Sequence, residues 1–147
     1  MNGDGDMKVK FTVLGEPQGK GRARTVRLKN GKSHTYTPDA TAIYENLIAV
    51  EYQRQTGGKK FADNEMVDMR IAAYYAIPAS ASKKKQSQME CAEIRPTKKP
   101  DMDNIVKVVS DALNSIAFRD DSQVVDCQVR KFYSNQPRIE VTILTAK

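Results

Sequence analysis

Aspartate and lysine recur in one short run of this chain in an order suited to binding a metal ion and a phosphate. The run is Lys99-Pro100-Asp101-Met102-Asp103-Asn104-Ile105-Val106-Lys107, and a second acidic pair, Asp120-Asp121, follows downstream. Pro100 disfavours helix at Lys99, so a helix is expected to start at or after the aspartates. From there Ile105, Val108, Val109, Ala112, Leu113 and Ile116 recur at helical spacing and predict one apolar stripe. Asp103 and Lys107 are neighbours on such a helix, away from that stripe. Carboxylates gathered with no His or Cys nearby in sequence make a hard oxygen site, suited to Mg²⁺ or Mn²⁺ rather than zinc. Without a cation they repel one another, and one or more would hold a proton. A bound metal ion relieves that repulsion and can activate water beside a phosphate, which Lys107 would contact. Ordinary structural roles compete with this reading. Asp101 can serve as an N-cap, Asp103 as charge at the helix start, Asp103 with Lys107 as a surface pair, and Asp120-Asp121 as a polar turn.

The rest of the chain must position these groups. Its 147 residues fit one domain, expected over residues 8–147 after a disordered tail at 1–7. A net charge of +6 and a pI near 9.3 favour a polyanionic partner without specifying a fold. Cys91 and Cys127 stand far apart, which argues against zinc or a disulfide framework and fits a reducing cytoplasm. No apolar run reaches membrane-spanning length and no signal peptide is recognised, so a cytoplasmic protein without a membrane partner is expected.

Lys8 to Leu14 alternates as a half-buried strand. A basic loop is expected across residues 15–35, where Lys20, Arg22, Arg24 and Arg27 are candidate phosphate contacts. A solvated, mobile connection is the competing reading there. Its glycines and lysine fall short of a nucleotide-binding loop in spacing, and Gly21 stands where a Ser or Thr should reach magnesium, so no nucleotide cofactor is expected. His34 alone cannot make a zinc site, and Tyr36 can stack on a base or pack. Thr37-Pro38 is expected to open a helix to about Gln55 with Pro38 near N1, burying Ile43, Tyr44, Leu47 and Val50 and stopped by Gly57-Gly58. Val67 to Ile77 predicts a second strand, and Ala79 to Ile94 a second helix capped by Ser80 or Ser82. Lys83, Lys84 and Lys85 at that helix's start are unfavourable for its dipole unless a phosphate backbone or solvent compensates, and Lys98 and Lys99 add charge ahead of the aspartates. Gln123–Tyr133 and Arg138–Leu144 predict two strands joined as an antiparallel hairpin. The elements then run β-α-β-α-α-β-β, an α+β fold of about four strands in a small mixed sheet with about three helices.

The run Lys99–Lys107, the segment Asp111-Ala112-Leu113-Asn114 and Asp120-Asp121-Ser122-Gln123-Val124-Val125 together resemble the signature of the RusA-type Holliday-junction resolvases. Gly15-Glu16-Pro17-Gln18-Gly19-Lys20-Gly21-Arg22, Tyr36-Thr37-Pro38 and Tyr44-Glu45 resemble the phage and prophage branch of that family, so the likeness covers most of residues 8–144. The resemblance implies a Mg²⁺-dependent endodeoxyribonuclease, with Mn²⁺ as a substitute, acting as a homodimer on branched DNA in recombination and repair. It implies metal ligands at Asp101, Asp103 and Asp121, with Lys107 completing the catalytic set. Asn104, Asp120 and Asp126 are candidates for supporting roles around them. The segment Asn114–Arg119 is slightly short for the family, which keeps Asp120 as the alternative to Asp121. Two other readings remain open: a non-catalytic basic module that recognises branched DNA, and an RNA-directed nuclease, although no aromatic RNA-binding motif is present.

Overall fold

The computed structural model describes residues 6–36 and 38–147. The elements are β1 (Lys8–Leu14), β2 (Arg24–Arg27), β3 (Ser33–Tyr36), α1 (Asp39–Thr56), β4 (Val67–Ala76), α2 (Lys83–Glu90), α3 (Met102–Leu113), a 3₁₀ turn at Asp121–Gln123, β5 (Val124–Ser134) and β6 (Arg138–Thr145). Strands β1, β6, β4 and β5 form one mixed sheet in that order, and β2 with β3 forms a separate two-stranded sheet. The α+β class and the order of the main elements are as expected from the sequence.

Alternation along the strands decides which face is covered. Val9, Phe11 and Val13 of β1, Val67, Met69, Ile71, Ala73 and Tyr75 of β4, and Ile139, Val141 and Ile143 of β6 are buried, with their neighbours half-buried or exposed. Helices α1 and α3 pack together on that face, with Tyr44, Ile48 and Tyr52 from α1 and Ile105, Val108, Val109, Ala112 and Leu113 from α3. Phe11 meets Tyr52 edge to face with ring centroids 5.3 Å apart, fixing α1 to the edge strand β1. The opposite face of the sheet carries a row of stacked rings and guanidinium groups. Tyr74 lies against Phe132, Arg138 sits 3.9 Å from the Tyr74 ring centre, and Arg95 and Arg130 sit over Phe132.

Four expectations are corrected. Strands β5 and β6 do not form a hairpin with each other. β4 lies between them, parallel to β5 and antiparallel to β6, so the turn at 135–137 crosses the end of β4. β6 alternates as the sequence indicates, whereas β5, on the sheet's edge, buries no residue fully and shows no regular alternation; each hydrogen-bonds to β4. On α1, Ile43, Leu47 and Val50 point outward; the buried set is Thr41, Tyr44, Ile48 and Tyr52. Helix α2 is shorter than expected, beginning after Ser82, whose hydroxyl accepts from the Lys85 backbone N–H. Part of the segment expected as a basic loop is the β2–β3 hairpin, exposed along both strands and closed at its turn by Leu28 N–H to the Lys32 carbonyl. Pro38 occupies the N-cap position of α1; Thr37 and the tail residues 1–5 lie outside the described residues. Met7 exchanges hydrogen bonds with Thr145 and so is tied to β6.

Candidate active site

Helix α3 is the positioning element. Its apolar stripe seats it on the sheet, so Asp103, Lys107 and Asp111, each four residues from the next, share the opposite, exposed row. Asp101 stands at the N-cap in extended conformation, yet its side chain makes no capping hydrogen bond, so the carboxylate is not occupied by the helix end. The residue before it is held from the sheet: the Tyr75 hydroxyl of β4 donates to the Pro100 carbonyl at 2.6 Å. Burial, then the negative charges of Asp101 and Glu16, raise the Tyr75 hydroxyl well above the ordinary tyrosine range, which keeps it a donor. Lys131 reaches from β5 to the Lys98 carbonyl at 2.7 Å and steadies the same approach.

The connection from β1 to β2 closes over the start of α3. Lys20 N–H donates to the Asn104 carbonyl at 3.0 Å, and Gly21 N–H donates to Thr41 Oγ1 at 3.0 Å. Gly19 is required by contact: a Cβ there would stand 2.9 Å from the Asn104 Cβ and 3.0 Å from the Pro100 Cβ. Gly19, Lys20, Arg22, Lys99, Pro100, Asp101 and Asn104 line an open depression of about 480 Å³ at this junction. Asn104 is thus half-buried in the wall of the site.

The Lys20 side chain is not directed to solvent. It bridges Glu45 of α1 at 2.8 Å and Asp111 of α3 at 3.1 Å, with about a fifth of it exposed (21%). Burial alone would lower its pKa, but the hydrogen bonds and charges of Glu45 and Asp111 outweigh that and raise it. Lys20 therefore clasps both helices, a role the sequence did not single out. Nor did the sequence single out Asp111 or Glu45 as charged partners, although the row Asp103, Lys107, Asp111 was a usable signal.

Asp120 and Asp121 have separate environments. Asp120 caps the 3₁₀ turn: its carboxylate accepts from Ser122 N–H at 3.0 Å, and hydrogen bonding from the Ser122 side chain, then from that N–H, holds its pKa low. Gln123 completes the cap by accepting from the Asp120 backbone N–H through its side-chain oxygen. Asp121 has no such duty. Desolvation, then the charges of Asp120 and Asp111, push its carboxyl above the ordinary value. The 3₁₀ turn packs against α3, with Asp121 within electrostatic reach of Asp111.

The donors are hard oxygens, the kind that Mg²⁺ or Mn²⁺ takes. Their placement forms two groups, Asp101 with Asp103 at the first turn of α3 and Asp111 with Asp121 two turns along, a rise of about 12 Å for eight helical residues. Among the described residues, no three Asp, Glu, His or Cys side chains stand close enough together to hold a metal ion as the chain lies. In donor chemistry the residues fit a divalent cation; they are not gathered around one.

The remaining candidates divide by exposure. Arg22, Arg24 and Arg27 are exposed on the hairpin and the stem that leads to it, Lys83, Lys84 and Lys85 on the first turn of α2, and Lys99 beside the depression. Lys98 lies 6.0 Å from the Tyr133 ring centre. Asp126 stands on β5 opposite Asp68 of β4, away from α3. His34 stacks on Tyr36 in β3, both exposed.

A basic α+β protein with aspartates at an exposed helix start and positive charge converging on them has the make-up of a nucleic-acid-cleaving enzyme. The chain belongs to the RusA endodeoxyribonuclease family, whose model matches residues 15–144. That family implies endodeoxyribonuclease activity of the Holliday-junction-resolving kind and a general dependence on divalent metal ions. The chain is also similar to YqaN of Bacillus subtilis (strain 168), an uncharacterized protein, with 43% identity over 140 residues that cover 92% of this chain and 94% of that one. Among the described residues no helix is long and apolar enough to cross a membrane.

Proposed function

We propose that this protein is a Mg²⁺-dependent endonuclease that resolves four-way DNA junctions in the cytoplasm by paired phosphodiester cleavage, working as a homodimer. The observation that carries the reading is the exposed Asp101–Asp103–Lys107 set at the start of α3, beside a depression walled by Lys20, Arg22 and Lys99, in a chain of this family. Asp101, Asp103 and Asp121 are the residues that the family resemblance assigns to the cation, although as the chain lies Asp121 stands with Asp111, two turns of α3 from the other two. When bound there, a divalent cation supplies charge neutralisation and an activated water at a phosphate. Lys107 contacts a phosphate oxygen from the same helix face and stabilises charge that develops during cleavage. Asp121 is favoured over Asp120 because Asp120 is already used as a cap. The β2–β3 hairpin contributes Arg24 and Arg27, and its stem Arg22, as backbone contacts to DNA. Residues 8–147 act as one domain.

The test is cleavage against binding. Asp101→Asn, Asp103→Asn and Asp121→Asn should each abolish cleavage while junction affinity and the unfolding midpoint stay near wild type. Lys107→Ala should lose cleavage by far more than it loses affinity. Wild-type cleavage by any of the aspartate variants removes that residue from the site, and equal losses for Lys107→Ala make it a binding residue only.

A further inference from the structure

The two faces of the β2–β3 hairpin differ in chemistry. The register pairs Arg24 with Tyr36 and Val26 with His34, so these four side chains share one face, while Thr25, Arg27, Ser33 and Thr35 share the other. The second face is polar, and its two threonine hydroxyls hydrogen-bond to each other at 3.1 Å. The first carries Val26 (44% exposed) and Tyr36 (38%). The Tyr36 ring lies nearly parallel to that of His34, 12° between planes, with centroids 6.1 Å apart. None of these side chains belongs to the core. The rings are therefore free to stack on something else. At the base of the hairpin the same face runs into a cleft. Arg24, Tyr36, Pro38, Asp39 and Ala40 line an open space of about 320 Å³ between the hairpin and the first turn of α1, a size typical of small-ligand sites.

The groups in the wall select the ligand. A tyrosine ring beside a guanidinium suits a flat aromatic group that carries a phosphate, because the ring stacks and the guanidinium forks onto phosphate oxygens. Asp39 disfavours a bare anion in the cleft but can accept from the exocyclic amine on a base edge. An unpaired nucleotide offers all three features. A paired one has its edge engaged and its faces stacked on its neighbours, so it must leave the duplex before it can enter. The cleft also adjoins the candidate active site. Gly21 N–H bonds to Thr41 Oγ1 at 3.0 Å, which fixes the stem of the hairpin to α1, and Arg22 of that stem lines the depression beside Asp101. We propose that the cleft between the β2–β3 hairpin and the start of α1 binds one unpaired base of a DNA branch point. Tyr36 stacks on the base, Arg24 holds its phosphate and Asp39 accepts from its edge. The proposal deepens the resolvase reading and rests on it for the branch point, while the base site is tested without cleavage.

The test is equilibrium binding of the full chain in EDTA, read by fluorescence anisotropy on five labelled probes. These are a short single-stranded oligodeoxynucleotide, the same strand with abasic sugars through its middle, a linear duplex, a fully paired four-way junction, and that junction with one mismatched pair at the branch. The wild type should bind the intact strand about tenfold more tightly than the abasic one. It should also bind the mismatched junction more tightly than the paired one, because freeing the base then costs less. Tyr36→Ala should abolish both differences and Tyr36→Phe should retain them, with the unfolding midpoint unchanged in each, since Tyr36 lies outside the core. Arg27→Ala, on the opposite face, should weaken every probe by a similar factor. A wild type that shows neither difference overturns the proposal, and so does a Tyr36→Ala variant that keeps both. A preference for the intact strand without one for the mismatched junction overturns the assignment to the branch point. Equal binding of junction and linear duplex, with the strand preference present and lost in Tyr36→Ala, counts against the resolvase reading and leaves the base site standing.

Discussion

Lys20 joins three parts of the chain that lie far apart in sequence: the strap after β1, Glu45 of α1 and Asp111 of α3. Hydrogen bonds to charged groups contribute about 1.5–3 kcal/mol each when shielded, and the low end applies here because the site is partly wet. Lys20→Ala should therefore lower stability by about 1–3 kcal/mol, read from the denaturant midpoint. The sign of its pH dependence follows from the raised ammonium pKa. The stabilisation is fully present below the ordinary lysine value of 10.5 and is lost as pH rises through the higher native value. The gap between wild type and Lys20→Ala should stay constant through neutral pH and close in strong alkali; a gap that persists there would show that packing, not the charge, holds the clasp. Asp120 and Asp121 offer a second contrast. Asp120→Ala removes a cap and should lower the unfolding midpoint while sparing cleavage, whereas Asp121→Asn should do the reverse. The run from Asp101 to Lys107 could be recognised in the sequence because its members sit on adjacent helical turns. The Lys20 clasp could not, because an ion pair between residues 20, 45 and 111 exists only once the chain has folded.

At the level of elements, periodicity identified strands and helices more reliably than it identified their neighbours. The sequence marks β5 and β6 as two strands, though only β6 alternates in burial, and the short link between them suggests a hairpin; nothing local announces that β4 lies between them. Helix α1 has apolar residues on two sides, so its spacing allowed two inner faces, and Ile43, Leu47 and Val50 were assigned to the wrong one. Tertiary packing chose Tyr44, Ile48 and Tyr52, which join the core cluster, with the Tyr52 ring set edge-on against Phe11. The α3 stripe was read correctly from Ile105 to Leu113, but Ile116, expected to continue it, lies past the helix end and is only half-buried. The strap between β1 and the hairpin depends on close approach at Gly19. Gly19→Ala should cost about 1–3 kcal/mol through overpacking against Asn104 and Pro100. An unchanged melting temperature would mean that the strap can lift away from α3. Neutralising Arg22, Arg24 and Arg27 should flatten the salt dependence of junction binding, by up to about 0.9 in log–log slope for each phosphate that is no longer neutralised. An unchanged slope would make the hairpin a bystander.

For the whole molecule, the net charge of +6 is distributed unevenly. Cations concentrate on the hairpin, on the start of α2, and on the approach to Asp101, while the outer face of α1 exposes Ile43, Leu47 and Val50. A four-way junction has near two-fold symmetry, so a two-fold pair of such chains can present one acidic helix start to each of two opposing strands. Composition indicated the polyanion, and the family motifs indicated the reaction; the relation of two copies to one another was not readable from a single sequence. One measurement bears on the central reading: labelled four-way junction and linear duplex of equal length, each incubated with the protein in Mg²⁺ or in EDTA. A resolvase nicks the junction in symmetric pairs, requires the metal, and leaves the duplex intact. Tight junction binding with no cuts under Mg²⁺ or Mn²⁺ would contradict the reading and leave a protein that recognises branched DNA without cleaving it.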